Sequence, residues 1–149
     1  MKILKISTLE KGWANRDDLL LHASFQILVD FVERERPFEI VDWKEDQRHR
    51  DAAKEIRYLY RWWVKIRLQR HDPLDDLKEG ERPSMEEQLK PIYESDGKTV
   101  SHYELTRQPE KYPKYHAALE KFWNLKKKWQ DEDQANLIRL IKIRQFLWT

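Results

Sequence analysis

The fold of this chain is decided by residues 115–148, YHAALEKFWNLKKKWQDEDQANLIRLIKIRQFLW. Apolar side chains recur in this stretch three and four residues apart, which predicts an amphipathic helix. Because the apolar stripe reaches Trp148, we expect the C-terminus to be docked on the rest of the chain. Acidic residues interrupt the stripe at 130–134, so the stretch is either one long helix or two, with Asp131 as the N-cap of the second.

Two earlier stretches have the same periodicity. Residues 16–36 carry a wide apolar arc that ends before Pro37, and an arc of this width is typical of a central helix. The polar side of this helix is expected to carry His22 and Gln26. Residues 45–70 are predicted to form the next helix, which ends before a His-Asp-Pro turn signal.

Proline and glycine punctuate residues 71–111, where acids and lysines dominate. This composition predicts a long irregular connection that holds one or two short helices. The predicted fold class is therefore all-α, a bundle of three long helices in a single domain over residues 1–149. The residues expected in its core are Ile27, Phe31, Ile56, Leu59, Trp63, Phe122, Trp129 and Leu140.

The composition limits the possible function classes. The 29 Lys and Arg nearly balance the 27 Asp and Glu, so the net charge of +2 gives little support to a nucleic-acid partner. Seven Trp, six Tyr and five Phe argue against disorder, since disordered chains are poor in aromatic residues. The chain has no Cys, which excludes disulfides, cysteine-ligated zinc and cysteine nucleophiles.

The sequence also lacks targeting signals. Its first six residues, MKILKI, do not resemble the apolar region or the cleavage site of a signal peptide. No apolar run approaches the roughly 20 residues that a membrane helix needs. We therefore expect a cytoplasmic protein without a membrane partner, either a monomer or a homodimer.

Asp133 is the first candidate site residue. On a continuous last helix it falls within the apolar face, together with Arg144. A charge in such a position needs a partner, and Arg67 near the inner face of the preceding long helix can supply one. Asp133 is then an acidic ligand in a polar pocket, one half of a structural ion pair or a capping residue.

The second candidate is residues 57–70, RYLYRWWVKIRLQR, in which basic and aromatic residues are interleaved. Aromatic rings can stack on bases, and guanidinium groups can hold phosphates. A helical wheel places Tyr58 and Trp62 outside the buried stripe, beside a row formed by Arg57, Arg61 and Lys65. We expect a binding surface here; the alternative is that Trp62 covers a neighbouring loop while the arginines are solvated or paired.

A third pattern is similar to that of metal-dependent phosphohydrolases of the HD class. These enzymes use a His, an adjacent His-Asp pair and a distant Asp on a helical fold, and His49, His71, Asp72 and Asp133 follow that order here. Imidazole and carboxylate groups can hold a metal ion that activates water. The pair in that class lies within an apolar helix, whereas His71 and Asp72 precede a proline at a predicted helix end, so the metal site is an alternative interpretation.

Other chemistries have no motif in this chain. Its three isolated glycines form neither a P-loop nor a dinucleotide-binding fingerprint. No serine lies in a Gly-x-Ser-x-Gly elbow. We therefore expect no cofactor, and the lack of catalytic motifs favours a protein that is not an enzyme.

Three segments resemble uncharacterised small proteins of tailed bacteriophages. They are residues 20–33, LLHASFQILVDFVE, residues 58–63, YLYRWW, and residues 131–149, DEDQANLIRLIKIRQFLWT. The resemblance implies a viral protein that works in a bacterial cytoplasm. It implies no activity and brings no functional residues.

These observations lead to one main hypothesis and two alternatives. The main hypothesis is a small non-catalytic binding protein, a phage accessory factor that engages a host or phage macromolecule through its charged and aromatic surface. A protein is the partner that we expect. The alternatives are a protein that binds or sequesters a nucleotide or nucleic acid, and the metal-dependent phosphohydrolase.

Overall fold

The computed structural model describes residues 4–9 and 11–147, which are mostly helical and include one small antiparallel sheet. The helices are α1 (Arg16–Asp30), α2 (Pro37–Ile40), α3 (Gln47–Arg61), α4 (Met85–Gln88) and α5 (Pro113–Lys142), and the strands are β1 (Leu89–Tyr93) and β2 (Val100–Leu105). Turns of other helix types extend or join them: π turns at Phe31–Glu35 and Trp62–Ile66, and 3₁₀ turns at Arg67–Gln69, Pro73–Asp76 and Arg144–Phe146. The mostly helical fold was predicted, whereas the arrangement of three long helices in one bundle stays a prediction.

The prediction of a purely α-helical fold is wrong because β1 and β2 form an antiparallel hairpin. Leu89 pairs with Leu105 at one end and Tyr93 with Val100 at the other, with an irregularity between Ile92 and Tyr93. Gly97 adopts a positive φ of 67° in the connecting turn, a conformation that suits glycine. The carboxylate of Asp96 accepts hydrogen bonds from the backbone N–H groups of the two residues after Gly97. An Asp-Gly pair between short β-prone runs is a hairpin signal.

The chain falls into two compact units. The first unit comprises Met1–Arg70 with Trp129–Thr149, and the second unit is His71–Lys128. The described part of the first unit is residues 4–9, 11–70 and 129–147. The hairpin and the first half of α5 belong to the second unit. The single domain expected from the chain length stays a prediction.

The first unit contains a hydrophobic core built mainly from α1, α3 and the second half of α5. The core predictions for Phe31, Ile56, Leu59, Trp63 and Leu140 are confirmed, since all five side chains are buried. The prediction for Ile27 is wrong, because its side chain is 48% exposed. The buried apolar positions of α1 are Leu21, Phe25 and Leu28, four and three residues apart, so its apolar arc is narrower than expected. Phe122 and Trp129 are half-buried.

The C-terminal stretch forms one continuous helix rather than two. Asp131 lies inside α5 and does not cap a new helix. Phe146 and Leu147 pack against the core. Trp148 lies outside the described residues, and its docking therefore stays a prediction. None of the helices in the described ranges has both the length and the apolar character required to cross a membrane.

Candidate functional site

Asp133 lies at the centre of a charged cluster within the first unit. Arg67 donates hydrogen bonds from Nε and Nη2 to the two carboxylate oxygens of Asp133, at 3.2 and 3.1 Å. Arg70 donates from Nη2 to Asp133 at 2.7 Å and to Glu132 at 2.7 Å. The side chains of Asp133, Arg67 and Arg70 are each at least four-fifths buried, so solvent screens this cluster little.

The two arginines determine the charge state of Asp133. Burial would raise the pKa of its carboxyl group, but the hydrogen bonds and charges of Arg70 and Arg67 outweigh burial and lower the pKa below its usual value. Asp133 is therefore an ionised partner of two cations. A carboxylate held in this way is a poor general base, because its proton affinity is reduced.

Arg144 is not part of this cluster. It lies beyond the end of α5, in the 3₁₀ turn Arg144–Phe146, and its side chain is exposed. It makes no ion pair with any residue of the described ranges. The predicted pairing of Asp133 with Arg67 is present, whereas Arg144 does not share the site.

The burial of Trp62 contradicts the prediction that this residue is exposed and available for stacking. Its side chain is only 1% exposed, and its indole N–H donates to Glu132 at 2.9 Å. The ring lies 5.2 Å from the ring of Phe25 on α1, so α1 and α5 both contact this side of the helix. The wheel failed because it assumed a single narrow buried stripe, whereas contacts with Phe25 of α1 and Glu132 of α5 widen the buried arc to include Trp62 as well as Trp63.

The remaining predicted residues form an exposed patch, here called the α3 surface, which consists of Arg57, Tyr58, Arg61 and Lys65. Tyr58 is 43% exposed, and the guanidinium carbon of Arg139 lies 4.0 Å from the centre of its ring. Arg57 stacks in the same way on the ring of Phe38, also at 4.0 Å. These contacts orient the two α3 side chains without neutralising the charge of Arg57.

Arg61 and Lys65 carry charges that no described residue neutralises. Both are exposed, and neither makes a hydrogen bond or ion pair with any described residue. By contrast, Arg139 binds both carboxylate oxygens of Glu55, at 2.5 and 2.7 Å. The row of positive charges on α3 is therefore available to a partner.

The residues of the alternative metal site are engaged in separate local contacts. The imidazole of His49 contacts Asp46, the acceptor that caps α3, and the imidazole of His71 contacts Asp76. The carboxylate of Asp72 accepts from the backbone N–H of Leu74. Across residues 4–9 and 11–147, no group of three or more His, Cys, Asp and Glu side chains is placed to hold a metal ion.

The sequence analysis missed a polar cavity of about 300 Å³ in the first unit. His22 and Gln26, expected on the solvated side of α1, are 9% and 4% exposed and line this cavity. Residues before α1 satisfy them: Thr8 shares a 2.7 Å hydrogen bond with Nδ1 of His22, and Ser7 donates to Gln26 from its backbone and hydroxyl groups. Burial, with the nearby charge of Arg67, lowers the pKa of His22. No local sequence signal indicates these contacts, because residues 14 to 19 positions apart make them.

Comparison of the chain with protein-family models, curated proteins and solved structures finds no match. The resemblance to bacteriophage proteins therefore stays a prediction.

Proposed function

We propose that this protein is a non-catalytic binding protein, a bacteriophage accessory factor that engages an acidic surface of a host or phage protein through the α3 surface. The observation that carries the proposal is the row Arg57, Arg61 and Lys65, spaced one helical turn apart without an ion pair to the described chain. An uncompensated row of one sign attracts a surface of the opposite sign and speeds its association.

The aromatic residue within this row supports a protein partner. Tyr58 is held by Arg139, and Tyr and Arg are the residue types enriched where protein interfaces concentrate their binding energy. The burial of Trp62 removes the large ring on which a base would stack at this surface. The ion pairs of Asp133 with Arg67 and Arg70 support a structural role for that carboxylate rather than a catalytic one.

The test is affinity capture from bacterial lysate with the wild type and with the double variant Arg61→Glu, Lys65→Glu. We expect the variant to lose a partner that the wild type retains, and to bind the purified partner roughly tenfold more weakly, since two exposed ion pairs are removed and replaced by repulsion. Both side chains are exposed and neither makes a hydrogen bond or ion pair with a described residue, so the fold is expected to tolerate both changes.

The matched control is Lys127→Glu, Lys128→Glu, which changes the net charge equally at exposed positions of α5. A partner lost by both double variants would show a general charge effect, and a partner retained by both would rule out the α3 surface. Either result contradicts the proposal.

A further inference from the structure

The second unit contains a cleft on α5 that the α3 surface does not involve. Two adjoining cavities of about 280 and 370 Å³ share four lining residues, Arg107, His116, Leu119 and Trp123. We propose that this cleft, the Trp123 cleft, binds a nucleotide unit by stacking its base on Trp123 and holding its phosphate with Arg107 and Lys126.

Planar rings form one side of the cleft. Trp123 is 56% exposed, although a ring of this size is usually well covered, so much of its surface is accessible to a ligand. Tyr115, Leu119 and Trp123 follow each other four residues apart on α5, and all three line the cavity of about 280 Å³. Flat rings that flank an aliphatic floor suit a flat ligand such as a nucleobase.

Cations without partners lie beside these rings. The ammonium group of Lys126 is 5.0 Å from the centre of the Trp123 ring, and neither Lys126 nor Arg107 makes an ion pair with a described residue. Residues 107–128 contain seven Lys and Arg against two Glu. A phosphate next to a stacked base would find both charges within this segment.

Acidic groups offset part of this charge: Lys111 is paired with Glu87 and Lys114 with Glu81, which leaves Arg107 and Lys126 without an ion pair to a described residue. Glu87 lines one cavity, but hydrogen bonds from Lys111, from the backbone N–H of Ser84 and from Tyr112 lower its pKa to about 2, so it is fully committed to partners of the chain. Glu120 lines the other cavity and is exposed. The run Lys126–Lys128 continues the positive segment along α5.

Hydrogen bonds hold two of the amide side chains in the lining. Gln88 donates from Nε2 to the carbonyl of Pro83, and Gln108 donates from Nε2 to the carbonyl of Glu87. These bonds fix the amides and leave each side-chain oxygen as an acceptor, which can accept from an N–H group of a base, such as N3–H of thymine. Rings, fixed amides and unpaired cations together match a base and its phosphate better than they match an acidic peptide, which would need no ring to stack on.

This ligand chemistry has two sources, a single strand of nucleic acid or a free nucleotide. A duplex is excluded as a source because its bases are stacked on each other and cannot reach Trp123. The experiment therefore measures the binding of a fluorescein-labelled 15-residue oligothymidylate by anisotropy, with the unlabelled strand, thymidine monophosphate and the annealed duplex as competitors.

We expect Trp123→Ala to weaken binding of the labelled strand about tenfold, the effect of removing one stacked base. Trp123→Phe should retain most of the affinity because it keeps a ring. The matched control is Trp13→Ala, which removes an indole that is 88% exposed in the first unit and should leave binding unchanged. Lys126→Gln should reduce the slope of log affinity against log salt concentration, because one phosphate contact is lost.

If thymidine monophosphate displaces the labelled strand as well as the unlabelled strand does at an equal concentration of phosphate groups, the cleft is assigned to free nucleotides. Competition by the unlabelled strand alone would assign it to nucleic acid, and both results support the proposal. Equal binding by Trp123→Ala and the wild type, or equal competition by the duplex, overturns it. The variant Arg61→Glu, Lys65→Glu should bind the strand within about twofold of the wild type at physiological salt, so failure of this proposal is distinguishable from failure of the α3 surface.

Discussion

Asp133 shows how one carboxylate can hold two helices of the first unit together. It binds Arg67 and Arg70, whose side chains are 20% and 16% exposed, and removing its charge leaves both cations with weaker partners. We expect Asp133→Asn to lower the free energy of unfolding by about 3 kcal/mol, the cost of breaking a buried ion pair. Urea unfolding followed by circular dichroism measures the change.

The control for this prediction is Asp131→Asn, two residues earlier on the same helix. Asp131 is exposed and makes no hydrogen bond or ion pair with a described residue. Its substitution should change the free energy of unfolding by less than about 0.5 kcal/mol. Equal effects of the two substitutions would show that the cluster around Asp133 adds no stability.

His22 makes the stability depend on pH. Burial, followed by the charge of Arg67, lowers its pKa in the folded chain below the usual value near 6.5. Between these two pKa values the unfolded chain binds more protons than the folded chain. The contribution of the neutral His22 imidazole to the free energy of unfolding is therefore complete above about pH 6.5, and it is lost as the pH falls through the folded pKa.

We therefore expect the free energy of unfolding to fall less between pH 7.5 and about pH 5 in His22→Gln than in the wild type. Urea titrations at several pH values measure this difference. His102→Gln, at an exposed position of β2, serves as the control and should keep the slope of the wild type. A slope in His22→Gln that matches the wild type would contradict the prediction.

The β1–β2 hairpin is the element with the least side-chain support. All six residues of β2 are exposed, and an isolated two-stranded hairpin is marginally stable in water. We expect the backbone amides of residues 89–105 to exchange with deuterium much faster than those of α3, whose Ala52, Ile56 and Leu59 are buried. Exchange followed by mass spectrometry tests this; equal protection of the two elements would show that the hairpin has further support.

Parts of these elements could be predicted from local signals. Periodicity predicts the start of α1 near Arg16, and a proline in the first turn of the helix marks the start of α5 at Pro113. The pairing of Arg67 with Asp133 follows because each charge lies on an apolar helix face. The hairpin carried its Asp-Gly signal, but the scattered prolines around it favoured an irregular connection. The burial of Trp62 could not be predicted, because it depends on contacts with Phe25 and Glu132, which lie far from Trp62 in the sequence.

On the scale of the whole molecule, the sequence predicted which kinds of side chain form exposed surfaces better than it predicted where in the chain those surfaces lie. An aromatic and basic binding surface was expected around Trp62, whereas the structure buries that ring and exposes Trp123 beside Lys126 instead. The difference arises because exposure depends on contacts between distant parts of the chain. The polar cavity around His22 has the same origin, since Thr8 satisfies a side chain that periodicity places in solvent.

The adjacency of Trp62 and Trp63 has an optical consequence. Their ring centres are 6.0 Å apart and their planes are inclined by 48°, so the electronic transitions of the two indoles couple and form a chiral pair. Such a pair adds an exciton couplet to the far-ultraviolet circular dichroism, superimposed on the helical signal. The couplet would disappear when either ring is replaced, which makes it a spectroscopic reporter of the packing of both rings in the core.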